Sequence, residues 1–348
     1  MKNYFIYLMT ASALFLTLSC KKHKDVHVED VTISHSVAAL APDQTIQLTA
    51  IIAPDNAADQ TLIWESNATG VATVVDGLVT AISTGYATIT VTTADGNKTA
   101  SCNITVTPKQ MTMATAMTTG AVKLSLAGAG DVSVNWGDGS ITSYTLLLND
   151  TIGFSHNYSE AYNSTIKITG DNITYLYCGR NQLTSLNVGK NTTLHALYCF
   201  SNQLTSLNVE ECAALRYLNC CDNKLTSLKL NVGLFSLSCS TNKLLSNLNL
   251  NENVALRGLF YNETGLKSLD ISNNVKLYIL SCESNNMTDT QLNNLFGMLN
   301  NNIQALGKTI YIANNLGTDD CNVSIAEANN WTVQKTPKET NNDDPIWF

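Results

Sequence analysis

Residues Leu194-His-Ala-Leu-Tyr-Cys-Phe-Ser-Asn-Gln-Leu-Thr-Ser-Leu-Asn-Val209 are one statement of a phrase that occurs six times between Ile173 and Met287. Its cysteine slot is filled by Cys178, Cys199, Cys220 and Cys239, then Tyr261, then Cys282, at successive spacings of 21, 21, 19, 22 and 21 residues. A period near 21, with leucines and one asparagine held in phase, predicts a solenoid. A unit this short cannot bury its own apolar face and must stack on copies of itself. Within each phrase a short strand sends alternate side chains to opposite faces. Leu197 and Cys199 therefore point inward, as do Leu176/Cys178, Leu218/Cys220, Leu237/Cys239, Leu259/Tyr261 and Leu280/Cys282. Leu204, Leu207 and Val209 close the core from the other side.

Three residues after each slot come Asn181, Asn202, Asn223, Asn242, Thr264 and Asn285. A chain leaving a strand has buried N–H and C=O groups without sheet partners, and an inward amide can serve both kinds. Loss of one such asparagine leaves groups unpaired at roughly 1–3 kcal/mol each. Thr264 can do only part of that work, so its turn is expected to be the loosest. A second polar position falls at Asn191, Asn253 and Asn274, with Cys212 taking it once. These residues resemble the short leucine-rich repeats of internalin-like and BspA-like bacterial surface proteins, over roughly half the chain. The resemblance implies a leucine-rich-repeat fold and leaves function open. It departs from the family where cysteine stands in place of the more usual leucine.

The chain has 348 residues, room for two or three domains, and a formal charge of −8, or −9 once Lys2 is lost with residues 1–20. An acidic chain without a basic patch argues against nucleic acid as a partner. The start, MKNYFIYLMTASALFLTLSC, is an apolar run too short for a retained membrane span, ending at Ser19-Cys20 before Lys21-Lys22. It resembles a lipoprotein signal peptide, which implies a lipid anchor on Cys20 and attachment to a membrane. Thr17 stands where leucine is usual, and a plain secretory signal is the alternative. Lys21 after the cysteine suggests, by analogy with other lipoproteins, outer-membrane sorting; surface exposure is the expected placement, and the sequence leaves open whether the body faces the periplasm or the medium. Ten cysteines in an exported chain would suggest disulfides. The in-register cysteines of adjacent parallel strands have nearly parallel Cα–Cβ vectors, poor geometry for a disulfide. A linear stack also does not converge on a metal. They are expected to be core packing, with Cys102, Cys212, Cys221 and Cys321 as free thiols and Cys221 outward and most reactive.

Residues 21–27 read as a tether. Residues 28–108 carry seven short alternating runs punctuated by Pro42, Pro54, Gly70, Gly77, Gly85 and Gly96, the pattern of a β-sandwich. Trp64-Glu-Ser, Val71-Ala-Thr-Val, Gly77-Leu-Val-Thr-Ala and the Gly85 phrase resemble a group 2 (intimin/invasin-type) bacterial Ig-like domain, which implies a stalk with Trp64 in its core. Residues 109–170 form a second β segment. Its Trp136-Gly-Asp-Gly-Ser and His156-Asn-Tyr158 resemble pieces of a PKD-type sandwich. Because a solenoid's first face must be covered, this segment is expected to cap it. Asp131 and Asp138 read as turn residues in preference to calcium ligands. The repeats occupy residues 171–288. Residues 289–335 are expected to form a β/α cap, with a helix placing Leu292, Leu295, Phe296 and Leu299 on one face. Residues 336–348 read as a polar, disordered tail with an apolar end at Ile346-Trp347-Phe348. The fold class is thus mainly β: an Ig-like sandwich, a small β (PKD-like) cap, and a short leucine-rich-repeat solenoid with a β/α end.

No nucleophile elbow, phosphate loop, zinc motif, EF-hand or paired catalytic carboxylates is present in the sequence, and the five histidines are dispersed. The reading is a non-enzymatic protein with no cofactor and no metal. What remains is the outward sheet face, with Tyr175, Tyr177, Tyr198, Phe200, Tyr217 and Phe260 beside Asn219, Ser236, Ser238, Ser240, Asn262, Ser281 and Glu283. Six strands about 4.8 Å apart make it on the order of 25 Å long. Clustered exposed aromatics suit protein or sugar contacts, although aromatics also favour strands and can cover one another. The expected role is protein binding or adhesion by a cell-envelope lipoprotein. A glycan-binding lipoprotein of a polysaccharide-uptake system, or a structural envelope protein, are the alternatives.

Overall fold

The computed structural model describes residues 25–117, 120–158, 165–302 and 307–337. Cys20 with its signal segment, and the tail with Ile346-Trp347-Phe348, lie outside these residues. Residues 30–106 form a sandwich. One sheet runs in the order Val37–Leu40, Thr99–Val106, Gly85–Thr93, Leu62–Ser66, and the other in the order Thr45–Gln47, Leu78–Ala81, Ala72–Val75. A separate pair joins Asp30–Ile33 to Ala50–Ala53. Ala72, Val79, Ile89, Cys102 and Ile104 fill the space between the sheets. The strand Val37–Leu40, lying parallel to Thr99–Val106, is absent from the sequence-based reading. Only Leu40 of its four residues is buried, so alternation is weak there. Trp64 is half-buried and packs against both apolar clusters of the sandwich, as expected of a core residue.

From the long strand Gly120–Asn135 onward a single sheet continues to the end of the described chain. That strand pairs antiparallel with Thr151–Tyr158 and with Asn172–Tyr177. Where it meets the first solenoid strand, a bulge sits at Gly128 with φ +152°, and a Cβ there would collide with the Asn172 carbonyl. Beyond it, Asn172–Tyr177, Ala196–Tyr198, Tyr217–Asn219, Ser236–Ser238, Gly258–Phe260 and Ile279–Ser281 lie side by side in parallel. Leu176, Leu197, Leu218, Leu237, Leu259 and Leu280 are in register and at most 1% exposed. The cysteine column beside them is equally buried, and all nine described cysteines are free thiols.

The asparagine column works as a ladder. Asn202 donates to the carbonyls of Cys178 and Cys199 while its own oxygen accepts from the N–H groups of Asn181 and Leu183. Asn223 and Asn242, one and two coils on, likewise donate to the carbonyls on both sides, Asn223 to Cys199 and Cys220 and Asn242 to Cys220 and Cys239, and accept from the N–H of Leu204 and Leu225 respectively. Asn181 at the start exchanges both bonds with the backbone of Lys123, which ties the ladder to the preceding β segment. Thr264 breaks it. Its hydroxyl bonds Tyr261 and Asn285, yet it sends no donor back to the Cys239 carbonyl.

Three expectations are corrected. The repeat does not end at residue 288. Thr309–Tyr311 pairs with Ile279–Ser281, and Thr332–Gln334 pairs with Thr309–Tyr311, both in parallel. Ile312 takes the cysteine slot, and Asn315 extends the ladder to Asn285, Cys282 and Met287. The constant period hides this coil, because the helix Asp289–Gly297, capped by Thr288 and Gln291, stretches the spacing from 21 to 30 residues. The second polar column likewise includes Asn231, bonded to Leu215 and receiving Asn253. Cys221 does not face solvent. It is 5% exposed, its Sγ lies 2.7 Å from Ser238 Oγ, and burial pushes its thiol pKa up.

The sandwich and the solenoid are joined around Lys109. Its Nζ is 2.8 Å from Asp43 Oδ2 in the sandwich and 2.7 Å from Thr192 Oγ1 in a solenoid turn, and Thr192 also donates to Asp43. Asp171 accepts from the Lys109 backbone N–H and the Thr84 hydroxyl.

Candidate functional site

The outward face of the sheet is built from three columns. Tyr175, Ala196, Tyr217, Ser236, Gly258 and Ile279 form the first, and Tyr177, Tyr198, Asn219, Ser238, Phe260 and Ser281 the second, both fixed by register. Phe200, Cys221, Ser240, Asn262 and Glu283 follow two residues later on each strand in a third. The expected exposed face is only partly exposed. Phe200 is 2% accessible, Asn219 4% and Phe260 7%. Ser236, Ser238, Ser281 and Glu283 are also buried. The cause is mutual cover. Tyr177 meets Phe200 edge-on at 5.5 Å, and Arg180 lies over the Phe200 ring at 5.7 Å. Asn219 spends its side-chain Oδ1 on the Cys221 N–H.

Tyr175, Tyr177, Tyr198 and Tyr217 are half-buried and remain the accessible aromatic row. Tyr175 and Tyr198 are tilted against one another at 5.5 Å. Burial, with neighbouring Tyr175 and Tyr217 adding to it, raises the Tyr198 phenol to about 12, so it acts as a neutral hydroxyl. Farther along, Ser281 donates to Asn262 and Glu283, and Asn262 donates to Glu283, a buried carboxylate held by uncharged partners.

A row not singled out in the sequence lies one residue before each strand: His195, Arg216, Phe235, Arg257 and Tyr278. Arg216 stands 5.4 Å and Arg257 4.7 Å from the Phe235 ring centroid. Tyr217 packs edge-on against both His195 and Phe235. These residues fall in phase with the repeat but outside the alternating strand, where the face pattern stops being informative.

Elsewhere in the cap, the two quoted pieces meet. His156 stacks on Trp136 at 5.0 Å and bonds Asp138 at 2.6 Å, while the Tyr158 hydroxyl donates to the Trp136 carbonyl. Asp138 accepts from the Ser140 hydroxyl and N–H, and Asp131 from Thr145, the bonding of turn and strand residues. A cleft of about 840 Å³ lies between Thr84 and Pro108 on one side and Asp131, Tyr144 and Asp171 on the other. Both its carboxylates are engaged by the internal bonds already described. Among the described residues, no three His, Cys, Asp or Glu side chains are grouped to hold a metal, and no helix is long and apolar enough to cross a membrane.

Residues 27–104 match the family model of the bacterial Ig-like domain (group 2). An uncharacterized protein of Clostridium acetobutylicum is 39% identical over 79 residues, 22% of this chain and 8% of that protein. Lacto-N-biosidase of Bifidobacterium bifidum is 45% identical over 76 residues, 22% of this chain and 7% of the other. An Ig-like virion protein of Serratia phage KSP90 is 40% identical over 83 residues, 23% of this chain and 32% of its own. The chain thus spans less than a third of each of these relatives. Among solved structures, the functional domain of InlJ from Listeria monocytogenes, described as including a cysteine ladder, is 29% identical, with 45% of this chain and 38% of that one covered at a TM-score of 0.31. The N-terminal part of the chain is a group 2 bacterial Ig-like domain, followed by a β-solenoid.

Proposed function

We propose that this chain is a non-enzymatic lipoprotein of the cell envelope that holds a leucine-rich-repeat face on an Ig-like stalk and binds a protein partner, in adhesion or a related contact. The observation that carries the reading is the row Tyr175, Tyr177, Tyr198 and Tyr217, half-buried on a rigid parallel sheet. Tyrosine supplies large contact area at low entropic cost, and such residues dominate protein interfaces. The ring arrangement favours a protein over a glycan. Sugar stacking uses flat ring faces, whereas Tyr177 and Phe200 cross at 86° and Tyr175 and Tyr198 at 42°. The lipid anchor rests on the Ser19-Cys20 sequence, and outer-membrane placement on Lys21.

The test is capture of cross-linked partners from envelope and host-surface extracts by the wild type and by a Tyr177→Ser/Tyr198→Ser/Tyr217→Ser variant. A specific partner lost in the variant is the expected result. Equal capture by both defeats the reading, and binding on a glycan array with no protein partner transfers it to polysaccharide. Metabolic labelling with a fatty acid, lost on Cys20→Ala, tests the anchor. Protease shaving of intact cells tests which side the body faces.

A further inference from the structure

The chain contains three arginines, Arg180, Arg216 and Arg257, and each guanidinium lies over a phenylalanine ring at an edge of the solenoid sheet. Three lysines of the solenoid surface are ion-paired, Lys190 with Glu211, Lys229 with Glu210 and Lys243 with Glu263, while Lys224 donates to Gln203. Among the described residues, Arg216 and Arg257 have no carboxylate within 4 Å. Two positive charges without an ion-pair partner among the described residues thus stand on one edge of an acidic protein.

The site around Arg216 is built. Its Nη1 donates to the carbonyls of Ala213 and Leu215, which fixes the plane of the guanidinium against Phe235. Gly233 makes the room, because a Cβ there would run into Nη1 of Arg216. In the strand order Tyr217–Asn219, Ser236–Ser238, Gly258–Phe260, Phe235 precedes the middle strand, with Arg216 and Arg257 before its two neighbours. A guanidinium resting on an aromatic face keeps its in-plane N–H donors, and Arg216, with Nη1 on two carbonyls, still has Nε and Nη2 for a carboxylate in the bidentate geometry that lysine cannot offer. Beside this row runs a ridge of exposed valines, Val232 at 60%, Val254 at 51% and Val275 at 51%, each three residues ahead of Phe235, Arg257 and Tyr278 respectively. An aliphatic ridge has no use for a sugar chain, but it suits the side chains of an extended peptide.

We infer that the Arg216–Phe235–Arg257 edge docks an acidic, aliphatic-rich peptide segment of a protein partner, its carboxylates on the two guanidiniums and its apolar side chains along Val232, Val254 and Val275. This names the partner chemistry of the face proposed above and rests on that reading. The full chain is titrated by fluorescence anisotropy against a labelled dodecapeptide of alternating Glu and Leu, its Gln/Leu counterpart, and polygalacturonate as competitor. The Glu/Leu peptide is expected to bind, to lose at least tenfold in affinity in Arg216→Gln/Arg257→Gln, and to weaken as salt rises. Gly233→Ala, which displaces one guanidinium, is expected to cost about threefold, and Lys229→Gln nothing, with thermal melts confirming that each variant folds. Equal binding of the Gln/Leu peptide, unchanged binding by the double variant, or tighter binding of polygalacturonate each overturns the inference. If the acidic peptide fails to bind while the tyrosine variant still loses its cross-linked partner, only the acidic specificity falls. Capture unaffected by the tyrosine variant removes the underlying reading as well.

Discussion

The Lys109 ammonium, 5% exposed, sits 2.8 Å from the carboxylate of Asp43, which is itself 56% exposed. One strand-entry residue thus joins the sandwich to the solenoid, with Thr192 bridging both partners. Lys109→Met removes the charge and keeps most of the stem. Because Asp43 stays largely hydrated, the cost is expected at about 1–2 kcal/mol, well below that of breaking a fully buried pair. The sharper readout is orientation. Small-angle scattering should show a wider spread of sandwich–solenoid distances in the variant, and an unchanged profile would mean that Lys109 does not set the angle.

The ladder makes a two-sided prediction. Asn223→Ala leaves the Leu204 N–H without an acceptor, while the Cys199 and Cys220 carbonyls each keep an amide donor from Asn202 or Asn242. A loss of about 2 kcal/mol is expected. Thr264→Asn should do the reverse, giving the Cys239 carbonyl a second amide donor and about 0.5–1 kcal/mol of stability. Urea unfolding of both variants decides it. Destabilisation by Thr264→Asn would show that this coil is spaced too widely for an amide to bridge.

Acid should act through Asp138. The Ser140 hydroxyl and N–H, with His156, hold its pKa at about 2, against an ordinary 3.8. A carboxyl whose folded pKa is depressed stabilises the fold above its unfolded value, and that contribution fades as pH falls through the folded one. Melting temperature should therefore drop between about pH 4 and pH 2, and Asp138→Asn should flatten that part of the curve.

The core thiols should be silent. Burial raises Cys178 and Cys282 to about 12, and Cys199 and Cys220 well above the ordinary thiol range. Only thiolate reacts. Iodoacetamide at pH 8 should leave these four and Cys221 unmodified in the native protein and label them all in guanidinium, as read by peptide mass spectrometry.

The leucine, cysteine and asparagine columns were legible because each occupies a fixed phase of a constant period. Ile312 and Asn315 were not, since the inserted helix moves them to a 30-residue spacing. Outwardness of Tyr198 and Phe200 was also legible, but exposure was not: alternation says which face a side chain leaves from, whereas cover depends on neighbours such as Arg180 and Tyr177. The Arg216–Phe235–Arg257 edge lay hidden for a third reason. Each of its residues sits just before a three-residue strand, so the phase of the repeat aligns residues 216, 235 and 257 but alternation assigns them no face, and only the fold shows the two guanidiniums on the Phe235 ring.

The break at Thr264 has a mechanical consequence. Bonds between coils run along the stacking axis, so tension applied from end to end loads the short ladders in series. Each coil that yields releases about 21 residues, roughly 70 Å of extended chain. Tension applied between the Ig-like domain and the tyrosine row crosses only the coils of Tyr177, Tyr198 and Tyr217, whose amide ladder from Asn181 to Asn242 is continuous. The weak rung lies beyond that row, between the strand after Phe235 and the strand after Arg257, so only a contact that also holds Arg257 would load it.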